Sequence, residues 1–341
     1  MDLPMLRVSY SDLYGSLLRA VEHLGLRGER AALCARLFAE TTRDGVYTHG
    51  LNRFPRFAEM VANGCIDVNA EPTRTAGTAA LERWDGHLGP GNVNAYAAME
   101  RAIALARQYG LGGVALANTN HWMRGGSYGW LAAEAGLFAM CWTNTLPNLP
   151  PWGASTPALG NNPLVIAVPR PGGAHVVLDM AMSQFSFGSL SAYSARGQQL
   201  PVPGGYDQAG ELTSDAAAIE ASKRALAIGY WKGSGLSLVL DMLAAMLSGG
   251  DATHQIPPES TRESGVSQIF LAIDPSSFSA REDLDAIATG ILDSLRAATP
   301  IDPARPARYP GEQTLHLRQE NLRLGVPVEP DIWAKLNELS F

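Results

Sequence analysis

Leu13, Leu17, Val21 and Leu24 recur at helical intervals, so the start of the chain predicts an amphipathic helix over 13–24 with these four on one stripe. Ser9 or Ser11 can cap it and Gly25 ends it. A second helix is expected over 28–43, with Ala32, Leu33, Ala35, Leu37 and Phe38 as its apolar face, broken by Gly45. Pro55 suits the first turn of a third, which stops at Gly64. Near Asn69 the period changes. Glu71-Pro72 opens an extended stretch, 79–84 reads as a strand, and Gly89-Pro90-Gly91 is a tight loop before a helix over 94–109. Short apolar strands are expected at 113–117, 137–142, 163–168 and 175–180, with a helix at 128–135 and a turn at Pro171-Gly172-Gly173. The Gly- and Pro-rich stretch 197–210 reads as a surface loop. Residues 235–247 are apolar nearly all round, which predicts a buried helix. A strand over 266–273 and helices over 282–297, 315–324 and 330–339 complete the chain.

Strands alternating with helices in the centre, and helices at both ends, argue for an α/β core with helical additions. The length of 341 residues suggests two domains. We expect a helical one from 1–72 with 290–341, and an α/β one over 73–289. Hydrophobic residues make up 46% and charged residues 17%, which is ordinary for a globular chain. The net charge of −7, without a basic patch, argues against a nucleic-acid partner, and an acid substrate would need locally placed cations. The longest apolar stretch, 236–247, is too short to span a bilayer and carries Asp241, which must be paired or solvated. Residues 1–12 show no signal-peptide pattern. Cys34, Cys65 and Cys141 are too widely spaced for a zinc or disulfide pattern and read as small buried hydrophobes in a reducing cytoplasm.

The closest approach to a dinucleotide fingerprint, Gly89 to Asn94, ends in Asn and places Pro90 where an N–H could face a pyrophosphate. A helix start explains it better. Chemistry concentrates elsewhere. Asp44 to Pro55 holds His49 and Arg53, which suit a proton donor and a carboxylate clamp. On a helix the two would share a face, but Pro55 favours a loop entering the helix. A helix-capping His and a solvated Arg fit that spacing as well. Asn118 to Ser127 follows a strand, precedes a helix, and offers His121 and Arg124 as partners for a polyhydroxy acid; an ordinary strand-to-helix turn is the alternative. Two further candidates are Leu159 to Pro163 with Asp179 to Ser183, and Tyr230 to Gly235, where Lys232 precedes a glycine-opened helix but in the wrong order for a Walker loop.

The runs 45–50, 52–57, 120–130, 141–144, 151–154, 197–202, 229–235 and 267–270 resemble, in order and over nearly the whole chain, the malate/L-lactate dehydrogenase family that lacks the Rossmann turn, and within it the 2,3-diketo-L-gulonate reductase branch. The resemblance implies a cytoplasmic homodimer with a non-Rossmann nicotinamide-binding mixed-sheet domain, and helical N- and C-terminal segments packed together. It implies NADH as cofactor, with NADPH as the alternative, and a small-molecule keto-acid substrate. It also implies that His49 donates the proton. The cofactor contacts it implies are His175, Val176, Val177, Leu178, Asp179, Met180 and Ala181, then Trp231 and Lys232, then Gly311, Glu312 and Gln313. Here Gly-Glu-Gln stands where relatives read Gly-His-Glu, Asn161 where Thr is common, and Ala181 where a small hydroxyl residue is usual, which leaves the cofactor preference open. Arg53 is expected to hold the substrate carboxylate, and His121 with Arg124 its hydroxyls or second carbonyl. Reductases of other 2-keto or cyclic imino acids are the near alternatives. A metal-dependent hydrolase lacks any H-x-H or H-E-x-x-H spacing, so no metal site is expected. A sugar-acid binding protein without activity is the remaining class.

Overall fold

The computed structural model describes residues 6–277 and 280–339; the signal-peptide reading over 1–5 and the last two residues of the expected helical domain fall outside that range. The chain opens with β1 (Leu6–Val8), α1 (Tyr10–His23), α2 (Gly28–Arg43) and α3 (Phe54–Ala62). The centre runs β2 (Thr73–Gly77), β3 (Leu81–Asp85), α4 (Gly91–Tyr109), β4 (Leu111–Asn120), α5 (Gly126–Glu134), β5 (Phe138–Thr143), β6 (Leu164–Val168) and β7 (Val176–Met180). It continues through α6 (Phe187–Ala195), β8 (Gly205–Tyr206), β9 (Leu212–Thr213), α7 (Ala216–Ser222), α8 (Trp231–Ser248) and β10 (Ser264–Ile273). The last elements are α9 (Arg281–Ala297), α10 (Glu312–Leu324), β11 (Val326–Val328) and α11 (Pro330–Glu338).

Seven strands form one sheet in the order β2-β3-β4-β10-β5-β6-β7. Only the β3–β4 pair is parallel; the other ladders are antiparallel. The architecture is therefore α/β on a mixed sheet, as expected. Successive side chains along a strand feed opposite layers. Val114, Leu116 and Phe270 pack with α4 and α5 on one face, and Ala115, Trp142 and Ile269 pack with Leu240 and Ala244 of α8 on the other. The two ends of the chain meet through β1, which pairs antiparallel with β11, placing Leu6 opposite Val328. Leu13, Leu17, Phe38, Phe54, Phe57 and Leu336 share the core beneath. Phe38 meets Phe54 and Phe57 edge-on at 5.3 and 5.4 Å. Each such ring contributes roughly 1.5–3 kcal/mol through burial.

Several expectations need correction. The helix over 235–247 is not buried all round: Leu240 and Ala244 face the sheet, whereas Val239, Met242 and Met246 are 48%, 50% and 70% exposed. An apolar pattern alone cannot tell a core face from a face awaiting a partner. In α2, Ala31, Cys34, Ala35 and Phe38 are buried while Ala32 and Leu33 are only half-buried. Cys34 and Cys141 are buried, but Cys65 is only partly so. The 197–210 stretch is not wholly surface: Leu200 is buried and Gly205 begins a short strand paired with β9. The strand expected at 113–117 is the middle of a ten-residue strand that reaches Asn120. A domain boundary at 289/290 would cut α9, so we propose placing it after that helix. Among the described residues, no helix is long and apolar enough to cross a membrane.

Candidate active site

The link from α2 to α3 is fixed by apolar and backbone contacts. The Thr42 hydroxyl donates to the Phe38 carbonyl and accepts the Leu51 N–H, both at 2.8 Å. Gly50 passes so close that a Cβ there would lie 2.3 Å from that hydroxyl, which no side chain tolerates. Leu51 and Phe54 are buried in the helical core. Two successive 3-10 turns result, Tyr47–His49 and Leu51–Arg53. His49 and Arg53 therefore sit in the loop entering α3, as Pro55 implied, not on one α-helical face.

The facing loop joins β4 to α5. Trp122 packs with Tyr128 and Phe270, and the Tyr128 hydroxyl donates to the Trp122 carbonyl at 2.5 Å. The Met123 N–H donates to Nδ1 of His121 at 3.0 Å, which leaves Nε2 as the protonated nitrogen of the neutral ring. Gly91 packs under this loop, where a Cβ would lie 2.2 Å from the Asn120 carbonyl oxygen. The Gly-Pro-Gly turn thus serves close backbone packing at the start of α4. The two histidines stack, with ring centroids 5.8 Å apart and 22° between planes.

They line a cavity of about 570 Å3 together with Arg53, Arg56, Arg124, Asn148, Asn161 and Asp179. Its arginines differ in what they hold. Arg56 pairs with Glu263 at 3.2 Å, and Glu263 also accepts the Leu146 N–H at 3.3 Å. Arg124 pairs with Asp44 at 2.7 Å, and Asp44 is bound as well by Arg43 and by both arms of Arg318. Burial raises the Asp44 carboxyl, but the Arg318 hydrogen bonds and the Arg124 and Arg43 charges outweigh it and hold it at about 2. Arg53 has no acceptor among the described residues. Burial and then Arg56 push its guanidinium down to about 10, against the pull of Glu263.

This positive field governs the imidazoles. Burial, then Arg53, Arg124 and Arg56, lower His49 to about 4. Burial, Arg53, His49 and Arg56 push His121 well below its ordinary value. Both rings are neutral at pH 7 without a bound anion. Asp179 presents its carboxylate to the cavity and accepts the Gly126 N–H at 2.8 Å. The surrounding walls push that carboxyl up, against Arg124 and that N–H.

Two of the three expected cofactor segments come together. β7 is an edge strand. The Val177 N–H donates to the Pro310 carbonyl at 2.9 Å, and a Cβ on Gly311 would lie 3.2 Å from both the His175 oxygen and the Val177 nitrogen. Pro310 and Gly311, just before Glu312 and Gln313 open α10, thus lie against His175 and Val177. Within 175–181 only Asp179 and Ala181 line the cavity. The His175 ring is buried instead, accepting the Arg170 N–H at 2.9 Å and packing on Trp130. Trp231 and Lys232 open α8 outside the cavity, with Trp231 64% exposed. Asp241 is paired as expected, accepting from the Asn144 amide and the Thr253 N–H at 2.9 Å. Sequence reading missed Thr145, Asn148 and Glu263 as cavity residues, because they lie on segments without a local motif. Among the described residues, no three His, Cys, Asp or Glu side chains converge to hold a metal ion.

The model for the malate/L-lactate dehydrogenase family matches residues 8–337. A 2,3-diketo-L-gulonate reductase of Salmonella paratyphi A is 43% identical over 98% of this chain and 100% of that one. A sulfolactate dehydrogenase from Methanocaldococcus jannaschii superposes with a TM-score of 0.89 at 26% identity, covering 98% and 96% of the two chains. A delta1-piperideine-2-carboxylate reductase from Pseudomonas syringae gives 0.87 at 28% identity, covering 98% and 99%. With a family match over nearly its whole length, and relatives that are dehydrogenases and reductases, this chain is an oxidoreductase and belongs to the malate/L-lactate dehydrogenase family.

Proposed function

We propose that the chain reduces the C2 carbonyl of a 2-keto sugar acid with NADH or NADPH, 2,3-diketo-L-gulonate to 3-keto-L-gulonate being the leading reaction. The observation that carries the reading is the unpaired Arg53 guanidinium beside the stacked His49–His121 pair in one cavity. A carboxylate fits the first through paired N–H bonds, and the carbonyl beside it then falls near an imidazole. The relative's name at 43% identity supports the sugar acid. The test is consumption of NADH and NADPH over a panel of 2-keto acids and cyclic imino acids. No oxidation with any of them would sink the proposal.

The residues fit a nicotinamide cofactor. Ala181 and Asp179 leave the cavity end of β7 small and polar, and Gly311 lets the first turn of α10 close on its edge. His175 to Ala181 with Gly311, Glu312 and Gln313 would hold it, and Trp231 with Lys232 form the third contact in this proposal. The bound cofactor supplies the hydride. Arg53 anchors the carboxylate, His49 delivers the proton to the developing alkoxide, and His121 with Arg124 orients the oxygens beyond.

His49 must be charged to donate, yet burial and then Arg53, Arg124 and Arg56 hold its pKa down at about 4. A carboxylate on Arg53 offsets the charge that depresses it, so substrate binding draws in a proton. Catalysis of reduction needs the protonated form, so kcat/KM is expected to fall as pH rises above about 4, while kcat holds to higher pH. Parallel pH profiles of the two constants check this; coincident profiles would refute the coupling.

We further propose a cytoplasmic homodimer closed through α8. Val239, Met242 and Met246 make an exposed apolar stripe at helical spacing. Met246→Glu is expected to shift the protein to monomers in sedimentation velocity. An unchanged sedimentation coefficient would place the interface elsewhere.

A further inference from the structure

The cavity holds three arginines, but two have internal carboxylates. Asp44, 2% exposed, ties up Arg124 at 2.7 Å. Glu263, 3% exposed, ties up Arg56 at 3.2 Å. Neither acid can turn away to solvent. Asp44 is gripped from three sides by Arg43, Arg124 and Arg318, and Glu263 is fixed by the Leu146 N–H. Asp179 adds a third carboxylate that faces the cavity directly. Among the described residues, Arg53 is the one of these three arginines without a carboxylate partner. The other polar groups are neutral: Thr145, Asn148 and Asn161 on one wall, Ser186 and Ser191 on another. The Thr145 hydroxyl and the Asn148 amide both donate to Oδ1 of Asn161, at 3.0 and 3.3 Å. The Asn148 side-chain amide oxygen, Oδ1, has no hydrogen-bond partner among the described residues.

From this we infer that Asp44 and Glu263 are specificity-determining residues that restrict the site to substrates with a single carboxylate. Each holds one of the two arginines on which a second carboxylate would otherwise rest. A dicarboxylate would meet paired cations and the Asp179 charge, and would leave one anion desolvated without a partner. A hydroxylated chain instead meets amide and hydroxyl groups of matching chemistry. The inference rests on the keto-acid reductase reading and adds to it the charge of the substrate.

The test compares kcat/KM for a hydroxylated 2-keto monocarboxylate with that for oxaloacetate, a 2-keto dicarboxylate, in the wild type, Asp44→Asn and Glu263→Gln. Both reductions use the same proton from His49, so any change at that imidazole cancels from the ratio. The wild type is expected to favour the monoanion. Each variant is expected to move the ratio at least about 10-fold toward oxaloacetate, the size of one freed charge-assisted hydrogen bond, chiefly through KM. A purely structural role would depress both substrates together and leave the ratio unchanged, which would overturn the inference; so would a wild type that already prefers oxaloacetate. The two substitutions lie on different elements, so Glu263→Gln still decides the matter if Asp44→Asn fails to fold. Competition by the non-reducible anions oxamate and tartronate, read as thermal shifts with NADH present, runs alongside. A wild type that turns over no 2-keto acid defeats the reductase reading, and the anion preference then still decides the charge assignment.

Discussion

His49→Ala is expected to lower kcat by about 10²–10⁴-fold with little change in thermal stability, the loss typical of removing a general acid. Two features choose His49 over its stacked neighbour. Nδ1 of His121 already accepts the Met123 N–H, and burial, then Arg53, His49 and Arg56, push that ring well below its ordinary value. His49 is lowered only to about 4, within reach of a bound carboxylate's compensation, and Nδ1 shares its hydrogen bond with the Thr48 hydroxyl at 3.0 Å. His121→Ala is accordingly expected to act more on KM than on kcat. The fold should survive, because Leu51 and Phe54 hold the segment in place without the imidazole. Steady-state kinetics with a solvent isotope effect would check the assignment: wild-type turnover in His49→Ala, or loss of kcat on the His121 side alone, would refute it.

What the sequence made legible follows from what local physics controls. The helix over 28–43 came out to the residue because its limits are local: Gly28 opens it and Gly45, at φ 83°, cannot continue it. The strands of the sheet were visible as apolar runs, but their order was not. β10 inserts between β4 and β5 after more than a hundred intervening residues, and no local pattern encodes that. The ends meet through β1 and β11, each three residues long and too short for any period to show. In the site, His49, Arg53, His121 and Arg124 were legible as clustered polar residues between regular elements. That Arg53 is free while Arg124 is paired was not, because Asp44 lies 80 residues from Arg124 in sequence. The apolar run in α8 was read correctly as hydrophobic and wrongly as buried, since one chain cannot reveal whether such a face meets its own core or a second copy.

Arg53→Ala is expected to raise KM for the keto acid by about 30- to 1000-fold, with a smaller effect on kcat. A buried guanidinium that binds a carboxylate through two parallel N–H bonds is worth roughly 2–4 kcal/mol. Among the described residues, the cavity's other two arginines already hold carboxylates, Arg56 that of Glu263 and Arg124 that of Asp44. Arg53→Lys keeps the charge but loses the planar fork, so its KM should fall between wild type and Arg53→Ala. A second signature separates a clamp from a structural role. Arg53 is the strongest charge depressing His49. Removing it lets that imidazole rise from about 4 toward its ordinary value. The decline of kcat/KM should then begin at higher pH in Arg53→Ala than in the wild type, and in Arg53→Lys it should stay close to the wild-type position. An unchanged KM, or a pH profile indifferent to the missing charge, would remove Arg53 from the site and with it the argument that one cation selects the substrate.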